Sequence, residues 1–277
     1  LGVKFEGADG EEFFRSSLIQ TAFYGLFAGW ALWHHSGGKK AFKWEDLGDY
    51  LKIPFLGELF YEFRHPKRIQ ELKLAEHLDV ATEALLRVAR APFFDRFRLP
   101  QISKKETKPV HGAETAAILY FYEPFLEAFD PDLRKQLGVW YTPHEIVSYQ
   151  VRKVDQLLRE ELGCERGFAD ERVVVLDPCC GTGAYLIEVL RCVYEQLDGE
   201  GAGAMLGAKL LDACCRRILG FEILTAPFVI AQLQVYFILS KLGATPGEGS
   251  GHRPAIFLTN ALTGWDGSDQ LKFNFPE

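Results

Sequence analysis

The 277-residue chain lacks several of the patterns that assign a protein to a common site class. None of its six cysteines (Cys164, Cys179, Cys180, Cys192, Cys214 and Cys215) makes the C-x2-C spacing that structural zinc favours. Two of the pairs are adjacent in sequence, and adjacent side chains diverge by about 100° on a helix or point to opposite faces of a strand. No metal site is expected, and the thiols read as reduced and mostly buried in a cytoplasmic protein. A secretory signal is also missing, because Lys4, Glu6, Asp9, Glu11 and Glu12 interrupt any early apolar run. The most apolar stretch, residues 16–33, contains Gln20, Gly25 and Gly29 and is ringed by charge, so it reads as a buried helix and not a membrane span. Positive charge is not in excess: the net charge is −7, which does not advertise a nucleic-acid surface.

What is present suits a soluble globular fold. Apolar residues make up 48% and charged residues 25%, and 22 Phe with five Trp argue against long disordered stretches. The charge is uneven, with eleven Lys/Arg against six Asp/Glu in residues 64–110. Such a stretch either tracks phosphates or forms an ordinary solvated helix face. The chain starts at Leu1 and not at Met, and both of its ends, Leu1 and Glu277, read as cuts in a longer protein.

Hydrophobic periodicity divides the chain in two. Helices are expected over 11–35, with apolar residues four apart at Phe14, Leu18, Ala22, Leu26 and Trp30, and over 68–90. Shorter helical pieces are expected over 44–62. The polar residues 99–113, with Pro100, Pro109 and Gly112, mark a boundary between an all-α region (1–112) and a second domain (113–277). Further helices are expected over 116–129 and 143–162, the latter with Ile146, Tyr149, Val151, Val154, Leu157 and Leu158 as its apolar side. The pattern then alternates. Val173 to Leu176 reads as a fully buried parallel strand. A helix over 184–197, a flexible Gly-rich insert over 198–207, a strand over 217–222, a helix over 225–242 and a strand over 255–258 follow. Alternation of this kind predicts a doubly wound α/β sheet.

The strongest motif is Asp177-Pro178-Cys179-Cys180-Gly181-Thr182-Gly183, at the end of the first strand. Glycines there let backbone approach a ligand with no Cβ in the way, at the strand end where open α/β sheets bind ligands. The helix that follows offers free N–H groups. No Lys follows Gly183, which excludes a phosphate-binding P-loop, and Leu186 stands where a dinucleotide fingerprint needs Gly. The remaining functional reading is an S-adenosylmethionine site, because Asp-Pro-x-x-Gly-x-Gly resembles motif I of amino-methyltransferases; the alternative is an ordinary glycine turn. The second motif is Gly220-Phe221-Glu222-Ile223, which ends the second strand; a carboxylate there can accept from both ribose hydroxyls, the alternative being a surface Glu after a strand. It lies 45 residues after Asp177 where ~20 is usual, with the extra length in the long helix and the insert. The third motif is Gly138-Val139-Trp140-Tyr141-Thr142-Pro143. Thr142 is expected to cap the next helix, with Pro143 in its first position and Glu145 three residues after the cap, and that is a sufficient structural reason for these residues. The functional alternative is a turn covering the methionine end of a cofactor.

In this order the three motifs resemble motifs X, I and II of gamma-class adenine-N6 DNA methyltransferases. The run from Tyr120-Phe121-Tyr122-Glu123-Pro124 through Thr142-Pro143 is similar to the methyltransferase part of type IIG and single-polypeptide type I restriction-modification enzymes. Leu258-Thr259-Asn260-Ala261-Leu262 resembles their motif III. The resemblance implies a Rossmann-like S-adenosylmethionine-dependent fold of which only the first strands are present. Tyr141, Thr142 and Pro143 would line the methionine side. Asp177, Pro178, Cys179, Gly181, Thr182 and Gly183 would hold the cofactor backbone, Glu222 the ribose and Asn260 the adenine, with Ile223 and Leu262 also among the cofactor-binding residues. Asn260 stands where relatives often carry Asp, and the double cysteine departs mildly from the family pattern. Partners implied are duplex DNA, reached through the full-length protein, and possible nuclease or helicase domains in the same polypeptide. No membrane partner is expected.

The family's catalytic Asn-Pro-Pro-Tyr/Phe does not occur; Asn274-Phe275-Pro276 lacks the second Pro, and Glu277 follows as the last residue. The catalytic motif is expected beyond Glu277, and no catalytic residue is assigned within the chain. The expectation is an adenine-specific DNA methyltransferase fragment that binds cofactor and is inactive alone. The alternatives are methylation of a protein glutamine or of RNA, and a non-catalytic DNA-binding or assembly module.

Overall fold

A computed structural model describes residues 7–35, 37–38, 40–51, 71–96, 113–129, 142–244 and 252–261. The described residues are mostly helical around a small sheet of three parallel strands.

Helix α1 (Gly7–His35) starts four residues before the expected position and is the spine of the helical part. Tyr24, Leu26 and Trp30 are fully buried. A helix apolar on several sides needs neighbours on several sides. It has them in α2 (Leu47–Tyr50), α3 (Ala75–Leu86), α5 (Ala113–Phe129) and α9 (Thr225–Lys241). Phe27 stacks on Phe121 of α5 with centroids 3.7 Å apart, and Trp30 stacks on Phe94 of α4 (Arg90–Asp95) at 5.2 Å. Gly29 lets α2 approach, because a Cβ there would lie 2.2 Å from Leu47 Cδ2. Among the described residues no helix is long and apolar enough to cross a membrane.

The helix expected over 68–90 is shorter. Lys73 has φ 52, a left-handed conformation that interrupts helical backbone, and α3 begins only at Ala75. Residues 52–70 and 97–112, which include the expected boundary, lie outside the described residues.

In the second part, α6 (His144–Glu160) precedes β1 (Val175–Asp177), followed by α7 (Ala184–Gly199), α8 (Leu206–Arg216), β2 (Ile218–Glu222), α9 and β3 (Ile256–Leu258). The strand order is β1-β2-β3, all parallel, with Asp177 beside Gly220 and Glu222 beside Leu258. Burial alternates along β2, with Ile218, Gly220 and Glu222 buried and Leu219 and Phe221 only half-buried. Residues two apart share a face, so the helices cover one face. Gly220 makes that packing possible: a Cβ there would stand 2.7 Å from Leu186 of α7.

Three expectations are corrected here. The first strand is parallel but not fully buried: Val174 is 61% and Leu176 50% exposed, because β1 is the edge of the described sheet and α7 lies against the other face. The insert over 198–207 leads directly into α8, whose buried Leu210, Ala213 and Cys214 sit at helical spacing. Helix α6 buries Val147, Ser148 and Val151, while Ile146, Tyr149, Val154 and Leu157 are exposed.

Candidate functional site

The glycine loop and the acidic end of β2 meet directly. The Gly181 N–H donates to Glu222 Oε2 at 2.9 Å, and the Leu224 N–H donates to Oε1 at 2.7 Å. Parallel pairing creates this contact: Asp177 and Gly220 are in register, so the loop leaving β1 passes over the last residues of β2. The Cys180 N–H clamps it there by donating to Phe221 O at 2.8 Å. The Cys180 side chain is buried under the loop, near both Asp177 and Glu222. Burial first, then those carboxylates, push its thiol far above the usual range, so it is an inert floor and not a nucleophile. Cys180, which the motif alone does not single out beside Cys179, thus lies on the inward side of the turn. Cys179 is exposed.

Gly181 and Gly183 have φ of +55 and +88, conformations that side chains resist. Their surroundings differ. A Cβ on Gly183 would touch Ala231 of α9 at 3.3 Å, so that glycine serves helix packing. A Cβ on Gly181 would meet nothing within 4 Å, so that glycine faces open space above the loop.

Two carboxylates border this space. Asp177 Oδ1 accepts from the Cys179 N–H at 3.2 Å, while its buried Oδ2 has no hydrogen-bond partner among the described residues. A buried carboxylate oxygen left unpaired costs free energy that a cationic or hydrogen-bonding ligand would recover. Glu222 is only 7% exposed. Burial raises both carboxyls above their ordinary range, although the backbone N–H bonds to each pull the other way. Each Glu222 oxygen accepts from at least one backbone N–H. Ile223, beside it, is 55% exposed.

The remaining expected residues arrive by two routes. The Thr259 N–H donates to Glu222 O at 2.8 Å, which brings half-buried Asn260 to the same strand end. Thr142 and Pro143 are brought by α6, which packs on α7. Ser148 reaches Glu188, each four residues into its helix, so the two helices start level with each other. The expected Thr142 cap is not formed. Pro143 occupies the N-cap position, and its carbonyl accepts from Ile146 and Val147. Pro178 and Thr182 lie within the loop itself. Tyr141 and Leu262 lie outside the described residues. So do Asn274, Phe275, Pro276 and Glu277, the residue beyond which the catalytic motif is expected. Among the described residues no group of three His, Cys, Asp or Glu is placed to hold a metal ion.

A model of the family described as N-6 DNA Methylase matches residues 117–234, from α5 through the glycine loop and Glu222 into α9. This segment is similar to the N-6 DNA methylase family. Two solved structures share the fold of the chain. One is an ATP-dependent Type ISP restriction-modification enzyme, LlaBIII, bound to DNA (18% identity, TM-score 0.52), and the other a DrdV–DNA complex (19%, 0.54). Each match covers 92% of this chain but only 16% and 21% of those chains, so the methylase segment and the helices before it span about a fifth or less of their length. No curated protein matches the sequence.

Proposed function

We propose that this chain is the cofactor-binding part of a DNA adenine-N6 methyltransferase of a restriction-modification system, with S-adenosylmethionine as methyl donor on a Rossmann-like sheet. The observation that carries the reading is the meeting of the Gly181 N–H and the Glu222 carboxylate beneath open space, with Asp177, whose buried Oδ2 has no partner among the described residues, at the start of the same loop. That donor set fits the cofactor. Asp177 would pair with the methionine ammonium, Glu222 would accept from the ribose hydroxyls, and Ile223 and Asn260 would flank the adenine. Thr142 and Pro143, with Tyr141, would close the methionine end. When bound, the cofactor supplies a sulfonium methyl to a nitrogen nucleophile without help from a metal.

This chain's residues would bind and orient. The groups that hold a flipped adenine and accept its amino protons belong to an Asn-Pro-Pro motif that the sequence through Glu277 does not contain. The 277 residues are therefore expected to bind cofactor and not to transfer methyl. The helical region before residue 113 is proposed as a spacer domain that shares a core with the methylase segment through α1. Duplex DNA is the proposed substrate of the full-length protein. Transfer of labelled methyl to duplex DNA by that protein should yield N6-methyladenine; label on protein glutamine or RNA alone would overturn the assignment.

The raised carboxyls give a pH prediction. Ligand binding needs Asp177 and Glu222 ionised, and protons compete for both above the ordinary carboxylate range of about 4. Cofactor affinity should therefore be full at alkaline pH and decline on acidification sooner than an exposed carboxylate would allow. Stability has the opposite sign. The folded chain holds these two protons more tightly than the unfolded chain, so the pair favours folding as pH falls through the raised values. Calorimetric titrations across pH check the first statement, and an Asp177→Asn variant should flatten the profile.

A further inference from the structure

Helices α6 and α7 are joined by polar groups in an interface that is otherwise apolar. Ser148 Oγ of α6 donates to Glu188 Oε1 of α7 at 3.0 Å, and Arg191 Nη1 holds Glu188 Oε2 at 3.1 Å. Arg152 Nε points at Ser148 Oγ at 3.4 Å, which leaves the hydroxyl proton for Glu188. Glu188 is 2% exposed, and Ser148 and Arg191 are buried with it. Nearer the start of α7, Tyr185 Oη donates to Gln150 Oε1; further along, Arg152 faces Glu195 at 3.9 Å.

The ion pair of Glu188 with Arg191 lies within α7, and Ser148 is what ties its carboxylate to α6; a buried charge is an expensive group to place between two helices, since well-packed apolar residues of similar volume often do as well or better. Its best-attested use is to fix register. Here the register has a consequence. The two helices start at the Thr142-Pro143 turn and at Gly183, the end of the glycine loop, so the offset between α6 and α7 sets the gap between turn and loop. Glu222, Ile223 and Asn260 sit instead on the ends of β2 and β3, away from this interface.

We propose that Ser148 and Glu188 are positioning residues that set the width of the cleft at the methionine end of the cofactor and leave its adenosine end alone. The inference rests on the cofactor reading above. A register error between α6 and α7 moves the turn relative to Asp177 but does not move Glu222 relative to Gly181, because that contact is made through β1 and β2.

The test compares two ligands on the whole 277-residue chain: S-adenosylhomocysteine, which has the amino-acid end, and adenosine, which lacks it. Ser148→Ala is expected to bind S-adenosylhomocysteine about tenfold more weakly while adenosine affinity stays within twofold of the parent. Glu188→Gln should show the same split. Should it fail to fold once Arg191 loses the charge of Glu188, the double variant Glu188→Met with Arg191→Met removes both charges and serves in its place. Equal weakening of both ligands, or no weakening of either, would overturn the positioning role. Failure of both the parent chain and the full-length protein to bind either ligand is a different result, and would remove the cofactor reading itself.

Discussion

Glu222→Ala should weaken S-adenosylhomocysteine binding by about a hundredfold or more. The carboxylate is expected to accept from two ribose hydroxyls, and each hydrogen bond to a charged group contributes roughly 1.5–3 kcal/mol. Even one such bond at the upper end is about a hundredfold in affinity. The same substitution has a second effect. Glu222 caps the Gly181 and Leu224 N–H groups, at 2.9 and 2.7 Å, and both would lose their acceptor. Leaving a buried donor unsatisfied costs roughly 1–3 kcal/mol, so the variant should also melt earlier. Glu222→Gln separates the two effects. It keeps one acceptor oxygen but turns an amide N–H₂ toward the other donor, so part of the stability returns while the charge is lost. Binding to Glu222→Gln intermediate between parent and alanine is the expected order. Parent-like affinity in Glu222→Ala, with the fold intact, would remove the ribose role.

The second large effect comes from moving one methyl group between two glycines. At Gly181 a Cβ has nothing within 4 Å, and the cost is the strain of φ +55, roughly 1–2 kcal/mol. Gly181→Ala should therefore fold, melt a few degrees lower, and lose cofactor affinity by well over tenfold, because the methyl enters the space the ligand would fill. At Gly220 the same methyl would stand 2.7 Å from Leu186 Cδ1 and 3.0 Å from Cys180 Sγ, under the sheet and away from that space. Overpacking of that kind costs roughly 1–3 kcal/mol. Gly220→Ala should lose stability first, and affinity only as the loop above Cys180 loosens. Denaturant unfolding and ligand titration on the two variants check the contrast. If Gly181→Ala binds like the parent, the open space above the loop is not the ligand site.

The parts of the fold that were legible in the sequence carry short-range signals. The motif from Asp177 to Gly183 needs two glycines at positive φ and a helix behind it, and both glycines adopt that conformation ahead of α7. Helix α9, strand β2 and strand β3 end within a residue or two of where their apolar runs end. What was hidden depends on partners distant in sequence. The edge position of β1 follows from which strands pair beside it, and an apolar run reads the same whether one face or both are covered. The buried side of α6 departs from the one its apolar spacing predicts, because it is Val147 and Val151 that pack inward, together with the polar Ser148. Its burial makes sense only beside Glu188, forty residues on. Helix α8 was obscured by the glycines preceding it, although Leu210, Ala213 and Cys214 carry the helical spacing. The dual use of Glu222, as loop cap and candidate ribose acceptor, follows from the sheet register, which brings the Gly181 N–H to its carboxylate.

If the Asp177 loop and Glu222 hold one adenosyl group, titrating S-adenosylhomocysteine into the 277-residue chain by calorimetry gives a saturable heat with one ligand per chain. That heat disappears in Gly181→Ala at the same concentrations. A parent chain that is folded and releases no heat, in a preparation whose full-length protein does bind the ligand, would show that these two segments do not form the pocket by themselves. No binding to either protein would contradict the site assignment altogether.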